Sequence, residues 1–351
     1  MDNKHLNFVL MMRYALGITV ELPSSLSEAE WLAIYRTAQK QSVASVVFQG
    51  VKKLPSDLHP PLQILMTWAA EAERVAGKNR LLTEACRQLT QLFAGKGRRT
   101  AILKGQANAR LYPEPLSRQP GDVDIWVEGG RDSVLHMLDD MALEYKIDYH
   151  HAHLHDLLYG ANVEVHFLPS SGNYFPLTNW RLQKAVKEEI MKSEMTQEGF
   201  CVPTLRFALL MQMAHIQRHF LRTGIGLRHL TDYYLLLKNS SCPITTRELR
   251  RLGLRQIAGA VMWVLGDLFK LERERMICPP DRKRGEMMER EIFKGGNFGY
   301  YSDKKKGVWG QFLHYRKRNL ELFSFCPTEV IWGEMMFWQR HHQKHSRKDK
   351  S

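Results

Sequence analysis

The spacing of apolar residues predicts helices over the first part of the chain. Between residues 62 and 94 apolar positions recur at helical spacing, and Gly95 follows where a helix commonly ends. An earlier helix is expected to begin after Ser25 or Ser27, because serine caps a first turn well and two glutamates follow it. Residues 1–77 are therefore predicted to form an N-terminal helical region.

The pattern changes after Arg99, where apolar and polar residues begin to alternate with the period of a strand. The changes occur within about seventy residues, which is typical of one compact α/β unit. We predict that this unit spans residues 78–170. Its expected order is a strand at 100–105, a helix at 106–113, a strand at 122–128, a helix at 133–144 and a strand at 161–169.

The remainder of the chain is again predicted to be helical, over residues 171–339. The last segment, 340–351, carries five lysines or arginines against one aspartate and is expected to be a disordered basic tail. The chain is thus interpreted as an α/β core between two helical regions.

Composition is that of an ordinary folded protein, with 351 residues, 44% apolar and 25% charged. We expect no membrane insertion, since no apolar run approaches the roughly 18–20 residues of a spanning helix. The short apolar stretch 6–12 is interrupted by Arg13, which favours an amphipathic helix over a signal peptide. Five scattered cysteines argue against a disulfide framework and a CxxC zinc site, so a cytoplasmic location is expected.

The net charge is +13 with a pI near 9.5. A basic surface attracts polyanions such as nucleic acid, nucleotides or anionic lipid. Charge alone does not separate such a partner from simple solubility.

Three carboxylates are the candidate metal ligands. Asp122 and Asp124 are two residues apart in a predicted strand, so both side chains point to one side. Glu164 lies on the polar face of a second predicted strand. Closely spaced carboxylates repel unless a cation lies between them, and oxygen ligands suit Mg²⁺. We expect a site for two Mg²⁺ ions, with Mn²⁺ as an alternative metal; the competing interpretation is a solvent-facing pair on an amphipathic strand.

The motifs around these carboxylates resemble those of the DNA polymerase beta-like nucleotidyltransferases, and within them a bacterial family of uncharacterised nucleotidyltransferases. The motifs, in chain order, are Leu103-Lys104-Gly105, Arg118, Gly121-Asp122-Val123-Asp124, Val163-Glu164-Val165-His166, His215-Ile216-Gln217-Arg218-His219, Gly226-Leu227-Arg228-His229-Leu230-Thr231-Asp232 and Gly296-Asn297-Phe298-Gly299. The resemblance covers most of the chain from about residue 80. It implies an α/β (α+β) fold, with a small mixed sheet flanked by helical regions and the carboxylates on adjacent strands.

The resemblance also implies a reaction, the transfer of a nucleoside monophosphate from an NTP such as ATP with release of pyrophosphate. The superfamily's usual first motif is Gly-Ser at the start of a helix, whereas this chain has Gly105-Gln106. Because the serine is missing, Lys104 or backbone amides are expected to bind the phosphates. The acceptor stays open between a hydroxyl of RNA, of a small molecule or of a protein, and the oligomeric state is not predicted.

The expected catalytic and metal-binding residues are Asp122, Asp124 and Glu164. The expected nucleotide-binding residues are Lys104, Gly105, Arg118, Gly121, His166 and Arg228. Gly105 would begin a helix whose free amides meet phosphate, and Arg118 would clamp a phosphate with two prongs. For each of them an ordinary structural role is the alternative. The alternative for the whole chain is a catalytically degenerate module that binds a nucleotide or a partner.

Further polar residues have more than one interpretation. His151, His153 and His155 alternate, so in a strand they would share a face and could bind zinc or another transition metal. The segment His215 to His219 lacks the glutamate of an HExxH metalloprotease. Arg228 and Asp232 are four residues apart, which favours an ion pair within a helix, with a place in the wall of the nucleotide pocket as the alternative. Asn297 is interpreted as part of a turn, with contact to the active site as the alternative.

Overall fold

The structure is a computed structural model and describes residues 3–241, 244–301, 316 and 318–348. Helices make up most of the chain, and a small sheet is inserted after the fourth of them. The helices are α1 (Asn3–Ala15), α2 (Glu28–Lys40), α3 (Ala44–Val51), α4 (Leu62–Ala94), α5 (Gln106–Ala109), α6 (Gly130–Asp140), α7 (Pro176–Ile190), α8 (Leu205–Arg222), α9 (Leu227–Asn239), α10 (Thr246–Arg251), α11 (Arg255–Phe269), α12 (Arg282–Gly295) and α13 (Pro327–Lys348).

The predicted helices of the N-terminal region are confirmed. Ser27 caps α2, and Glu30 completes the capping box by accepting hydrogen bonds from the backbone N–H and the hydroxyl of Ser27. Helix α4 runs without a break from Leu62 to Ala94, as its apolar spacing predicts. Its first half packs among the N-terminal helices through Trp68, and its second half packs under the sheet through Leu89.

The sheet has five strands in the order β1-β2-β5-β4-β3. Strands β2 and β5 run parallel, and the other neighbouring pairs are antiparallel, so the sheet is mixed. The strands are β1 (Thr100–Ile102), β2 (Val123–Val127), β3 (Lys146–Ile147), β4 (His151–Leu158) and β5 (Ala161–His166). A separate two-stranded ribbon pairs β6 (Glu194–Met195) with β7 (Cys201–Val202).

The two faces of β2 and β5 differ as the alternating pattern predicts. Val123, Ile125 and Val163 lie on one face and pack against α4 and α6 in a core of their own. Asp124 and Glu164 lie on the other face, directly opposite each other across the parallel pair. One detail differs from the expectation: β2 begins at Val123, so Asp122 is an exposed residue of the preceding loop rather than a strand residue.

A second core unites the helices that precede and follow the sheet. Phe8 of α1, Trp31 of α2 and Trp68 of α4 belong to the same buried cluster as Phe207 of α8 and Tyr233 of α9. The regions predicted at residues 1–77 and 171–339 thus meet in one helical body, with the sheet against its side. The boundary drawn at residue 77 falls inside α4; the domain limits themselves stay a prediction.

Several local expectations need adjustment. The helix expected at 106–113 ends at Ala109, and the one expected at 133–144 spans Gly130–Asp140. The segment expected to be a disordered tail from 340 is helical up to Lys348, and 349–351 lie outside the described residues. Four of the cysteines, Cys86, Cys201, Cys278 and Cys326, are described, and all four are unpaired thiols. Within the described ranges, every helix is too short or too polar to cross a bilayer.

Candidate active site

A cavity of about 350 Å³ opens between the polar face of β2 and helices α8 and α9. It collects residues that are far apart in sequence, including most of the predicted site. Its lining comprises Ser42, Lys104, Gly105, Arg118, Gln119, Pro120, Gly121, Asp122, Asp124, Gln212, His215, Ile216, Arg228, His229, Asp232, Asn297 and Phe298.

Asp124 is the buried carboxylate of this cavity, with 2% of its surface exposed. Its Oδ1 atom lies 3.2 Å from Nζ of Lys104 and 3.1 Å from Nε2 of His166. Burial disfavours the charged carboxylate, but the positive charge of Lys104 and the hydrogen bond from His166 outweigh it, so the pKa of Asp124 falls well below its usual range. Asp124 is therefore ionised and ready to bind a cation.

Glu164 and His166 complete this group on β5. Oε2 of Glu164 lies 3.3 Å from Nε2 of His166, and one ligand atom each of Asp124, Glu164 and His166 fall within 4.8 Å of one another. Burial works against a charged imidazole, yet hydrogen bonds to Asp124 and Glu164 raise the pKa of His166. His166 thus contacts both carboxylates through one nitrogen.

Asp122 lies beside this group rather than inside it. It is exposed in the loop before β2 and lines the same cavity as Asp124. Two carboxylates within reach of each other and a third on the cavity wall form an oxygen-rich donor set, which is the set that Mg²⁺ prefers. The described residues therefore fit the divalent cation that the three carboxylates predict.

Gly105 forms the turn between β1 and α5. Its φ of +65° is a left-handed conformation that glycine adopts without strain. Helix α5 has only four residues, and the amides of residues 107, 108 and 109 already donate to the carbonyls of Lys104 and Gly105. In this turn, only the amides of Gly105 and Gln106 remain to bind a phosphate. That is fewer free amides than the predicted start of a longer helix would supply.

Arg118 is buried in an ion pair with Asp232 of α9. Its Nε and Nη2 atoms donate to the two carboxylate oxygens at 2.8 and 2.7 Å, and Tyr112 donates to the same carboxylate. Burial raises the pKa of the Asp232 carboxyl, but the charge and hydrogen bonds of Arg118 lower it. On balance, the pKa of Asp232 lies below its usual value. The two-pronged clamp predicted for Arg118 is thus made with Asp232. The prediction of an ion pair between Arg228 and Asp232 is wrong, because the carboxylate of Asp232 pairs with Arg118 instead.

Arg228 is a cationic side chain of the cavity that takes no part in the ion pair between Arg118 and Asp232. Among the described residues no carboxylate oxygen lies within 4 Å of its guanidinium, which borders the cavity. Burial and the neighbouring charge of Arg118 lower its pKa. Gly121 is a close neighbour of this guanidinium, since a Cβ atom at position 121 would lie at ordinary contact distance, 3.5 Å, from Nη1 of Arg228.

An aromatic residue that the sequence analysis did not single out also faces the cavity. Phe298 has a φ of +53°, which is strained for a bulky residue. The rings of His219 and His229 lie edge-on against it with centroids 5.0 Å away, and the guanidinium carbon of Arg228 lies 5.7 Å from its ring centre. The only sequence signal was its place in the Gly296-Asn297-Phe298-Gly299 motif of the resemblance.

Three histidines of α8 and α9 form a cluster of neutral rings beside this aromatic residue, with His219 and His229 in contact with it and His215 against those two. Burial, followed by the positive charge of Lys104, lowers the pKa of His219 to about 3. Burial also lowers the pKa of His215 and of His229 well below the usual value. Both ring nitrogens of His229 are buried without a hydrogen-bond partner among the described residues. The histidines at this end of the cavity are therefore neutral, and the charge near Phe298 is that of Arg228.

The alternating histidines lie on β4, the strand next to β5, on the same face of the sheet as Glu164. His153 is directly opposite Glu164, and His151 is directly opposite His166. His155 lies farther along, with its ring stacked 6.4 Å from that of His153. The three do share a face, as predicted, but only the first two reach the carboxylate group.

Comparison with known proteins assigns the chain to a family. One solved structure with partial similarity is that of an antigenic nucleotidyltransferase-like protein from Paracoccidioides brasiliensis; it has 14% identity and a TM-score of 0.36, and the likeness covers 54% of this chain and 93% of that one. No curated protein matches the sequence. The family described as uncharacterised nucleotidyltransferase matches residues 27–270, which include the sheet, α8, α9 and the predicted carboxylates. The chain belongs to this nucleotidyltransferase family.

Proposed function

We propose that the protein is a magnesium-dependent nucleotidyltransferase, which moves a nucleoside monophosphate from an NTP to a hydroxyl acceptor and releases pyrophosphate. The observation that carries the proposal is the pairing of Asp124 with Glu164 on adjacent strands. Asp124 lines the cavity together with Asp122, Lys104 and Arg228, and Glu164 lies beside Asp124 but outside that lining. Family membership supplies the reaction class, and the site supplies groups suited to it.

The carboxylates Asp122, Asp124 and Glu164 are the residues that would hold magnesium. Bound there, the metal neutralises triphosphate charge and lowers the pKa of the attacking hydroxyl. His166 keeps Asp124 and Glu164 in register through its hydrogen bonds.

The phosphates would be bound by the cationic end of the cavity. Lys104 is close enough to Asp124 to balance its charge, and its half-buried amine can turn to a phosphate oxygen. Arg228 offers a guanidinium without a carboxylate partner among the described residues, and a guanidinium grips a phosphate with two parallel hydrogen bonds. The amides of Gly105 and Gln106 add neutral donors.

Arg118 would act on the nucleotide indirectly. Its ion pair with Asp232 ties the loop that carries Gly121 and Asp122 to helix α9, which carries Arg228. We therefore assign Arg118 as a positioning residue that keeps the metal loop and the phosphate-binding helix at a constant distance. Phe298, beside the neutral histidines, offers a ring face against which a nucleobase can stack.

A second function, a nucleotide-binding module without catalysis, is favoured by one observation. Gln106 stands where the superfamily has serine, and its Nε2 donates to the carbonyl of Asn79 and to Thr83 on α4, away from the phosphates. The two functions differ in turnover but not in nucleotide binding.

The experiment is an incubation of the purified protein with each α-labelled NTP, Mg²⁺ and a cell extract separated into RNA, protein and small-molecule fractions. We expect label in one fraction, reduced more than about 100-fold by Asp122→Asn, because even groups that only support metal ligands contribute 10- to 100-fold. Asp140→Asn, at an exposed carboxylate of α6, is the matched control and should keep full transfer. NTP binding without label in any fraction would favour the non-catalytic module.

A further inference from the structure

We propose that the protein has a second cation site, made of His151, His153 and Glu164 and selective for a transition metal such as Zn²⁺. We call it the histidine site. It lies on the same face of the sheet as the carboxylate group but on the far side of Glu164. It does not depend on the proposed nucleotidyl transfer.

The strand register places the three side chains together. His153 and Glu164 are opposite each other on neighbouring antiparallel strands, and His151 is two residues before His153. Opposite residues of an antiparallel pair, and residues two apart in one strand, all point to the same face. The three ligand atoms consequently lie within 4.8 Å of one another.

The distances are close to those that a tetrahedral ion needs. Oε1 of Glu164 lies 3.8 Å from Nε2 of His151 and 3.6 Å from Nδ1 of His153. Metal–ligand bonds of about 2.0–2.2 Å at tetrahedral angles separate ligand atoms by about 3.3–3.6 Å. Nε2 of His153, its other ring nitrogen, lies 2.6 Å from Nε2 of His151. The His153 ring must therefore turn away from His151 to present Nδ1 to an ion beside Glu164, and its side chain is 35% exposed.

The neighbouring histidine fixes the orientation of the buried ligand. Nδ1 of His151 lies 3.1 Å from Nε2 of His150. When this Nδ1 donates its proton to His150, the lone pair of Nε2 is directed at His153 and Glu164. Metal-binding histidines are commonly oriented in this way by a hydrogen bond from their other nitrogen.

Glu164 separates two sites of different chemistry. Its Oε1 faces His151 and His153, whereas its Oε2 faces His166. Imidazole nitrogens suit Zn²⁺ and related ions, while the oxygen ligands of Asp122 and Asp124 suit Mg²⁺. An ion at the histidine site would hold Glu164 in place, as a carboxylate shared between the two.

The test is a titration of metal-free protein, made without a histidine tag, with Co²⁺ as a coloured substitute for Zn²⁺. Excess Mg²⁺ is included to occupy oxygen-rich sites. We expect one Co²⁺ per chain with the visible bands of nitrogen ligation, displaced by Zn²⁺. His153→Ala should weaken this binding at least about tenfold, and His151→Ala should do the same.

Controls separate this site from other histidines and from the proposed catalysis. His155→Ala changes the next histidine of β4, which is exposed, and should bind Co²⁺ as the wild type does. The segment after residue 340 carries His341, His342 and His345, so binding that persists in the His151→Ala/His153→Ala double variant overturns the proposal. Failure of the wild type to bind Co²⁺ in the presence of excess Mg²⁺ also overturns the proposal.

The histidine site and the proposed catalysis can fail separately. Asp122→Asn should lose nucleotidyl transfer but keep the Co²⁺ bands. Thermal unfolding of His153→Gln shows whether the fold is intact.

Discussion

At the scale of single residues, the site is organised by how its charges are partnered. Asp124 has Lys104 and His166 as partners, and Asp232 has Arg118. Arg228 has no such partner among the described residues, although it is half-buried at the cavity. The charges of Asp232 and Asp122 act on Arg228 only from beyond 4 Å. A partly buried cation without a close counter-charge, at a cavity, is suited to an anionic ligand.

This arrangement predicts a larger effect of Arg228→Ala on binding than on stability. Loss of a charged hydrogen-bond donor, worth about 1.5–3 kcal/mol, should raise the Kd for NTP about tenfold to a hundredfold. The free energy of unfolding should change little, because the repulsion from Arg118 and the attraction to Asp232 and Asp122 are removed together. Isothermal titration calorimetry measures the Kd for NTP, and chemical denaturation measures the free energy of unfolding. Arg222→Ala, at an exposed arginine of α8, is the control; an unchanged Kd for Arg228→Ala contradicts the assignment.

At the scale of elements, period and register explain what could be predicted. The alternation in β2 and β5 predicted correctly that Asp124 and Glu164 lie opposite an apolar face, because strand geometry is local. The partner of Asp232 could not be predicted, since Arg118 is 114 residues away and the nearer Arg228 satisfies helical spacing. Phe298 and His229 likewise meet only through packing of α9 against the turn after α12.

The ion pair between α9 and the loop before β2 gives a stability prediction. Asp232→Asn should lower the free energy of unfolding by about 3–5 kcal/mol at neutral pH, because it leaves Arg118 buried without a counter-charge. The pKa of Asp232 is lowered in the fold, so its contribution is present above the unfolded pKa of about 4 and is lost as pH falls below it.

The difference in the free energy of unfolding between the wild type and Asp232→Asn should therefore become smaller in acid. Denaturation curves at neutral pH and below pH of about 4 measure it. Asp267→Asn, at an exposed aspartate of α11, should leave stability nearly unchanged at both pH values. A loss for Asp232→Asn that does not depend on pH would contradict the ionic origin.

At the scale of the whole molecule, the polar face of the sheet is turned towards a helical body built from both ends of the chain. One core lies under the apolar face of the sheet, and the other joins α1, α2 and α4 to α8 and α9. The cavity lies between them, so its residues come from both units. The amino-acid pattern predicted each unit but not their contact, because apolar spacing specifies which face is buried and not what covers it.

The charge of +13 predicts how the acceptor class can be recognised. RNA should bind at low salt and lose at least about tenfold in affinity between about 50 and 200 mM, because bound counterions are released from its phosphates. If RNA accepts the nucleotide, turnover at low RNA concentration should fall in parallel; with a small-molecule acceptor it should hardly change. Filter binding and label transfer over the same salt series distinguish the two, and RNA binding that is indifferent to salt would contradict the predicted role of the basic surface.

Nucleotidyl transfer is distinguished from other phosphotransfer by comparing α-labelled and γ-labelled NTP in the same transfer reaction with Mg²⁺. We expect the α label to move to the acceptor and the γ label to be released in pyrophosphate, and we expect both events to disappear in Asp124→Asn. Transfer of the γ label to the acceptor would make the protein a phosphotransferase of another kind. Transfer of the α label that survives Asp124→Asn would remove the paired carboxylates from the mechanism.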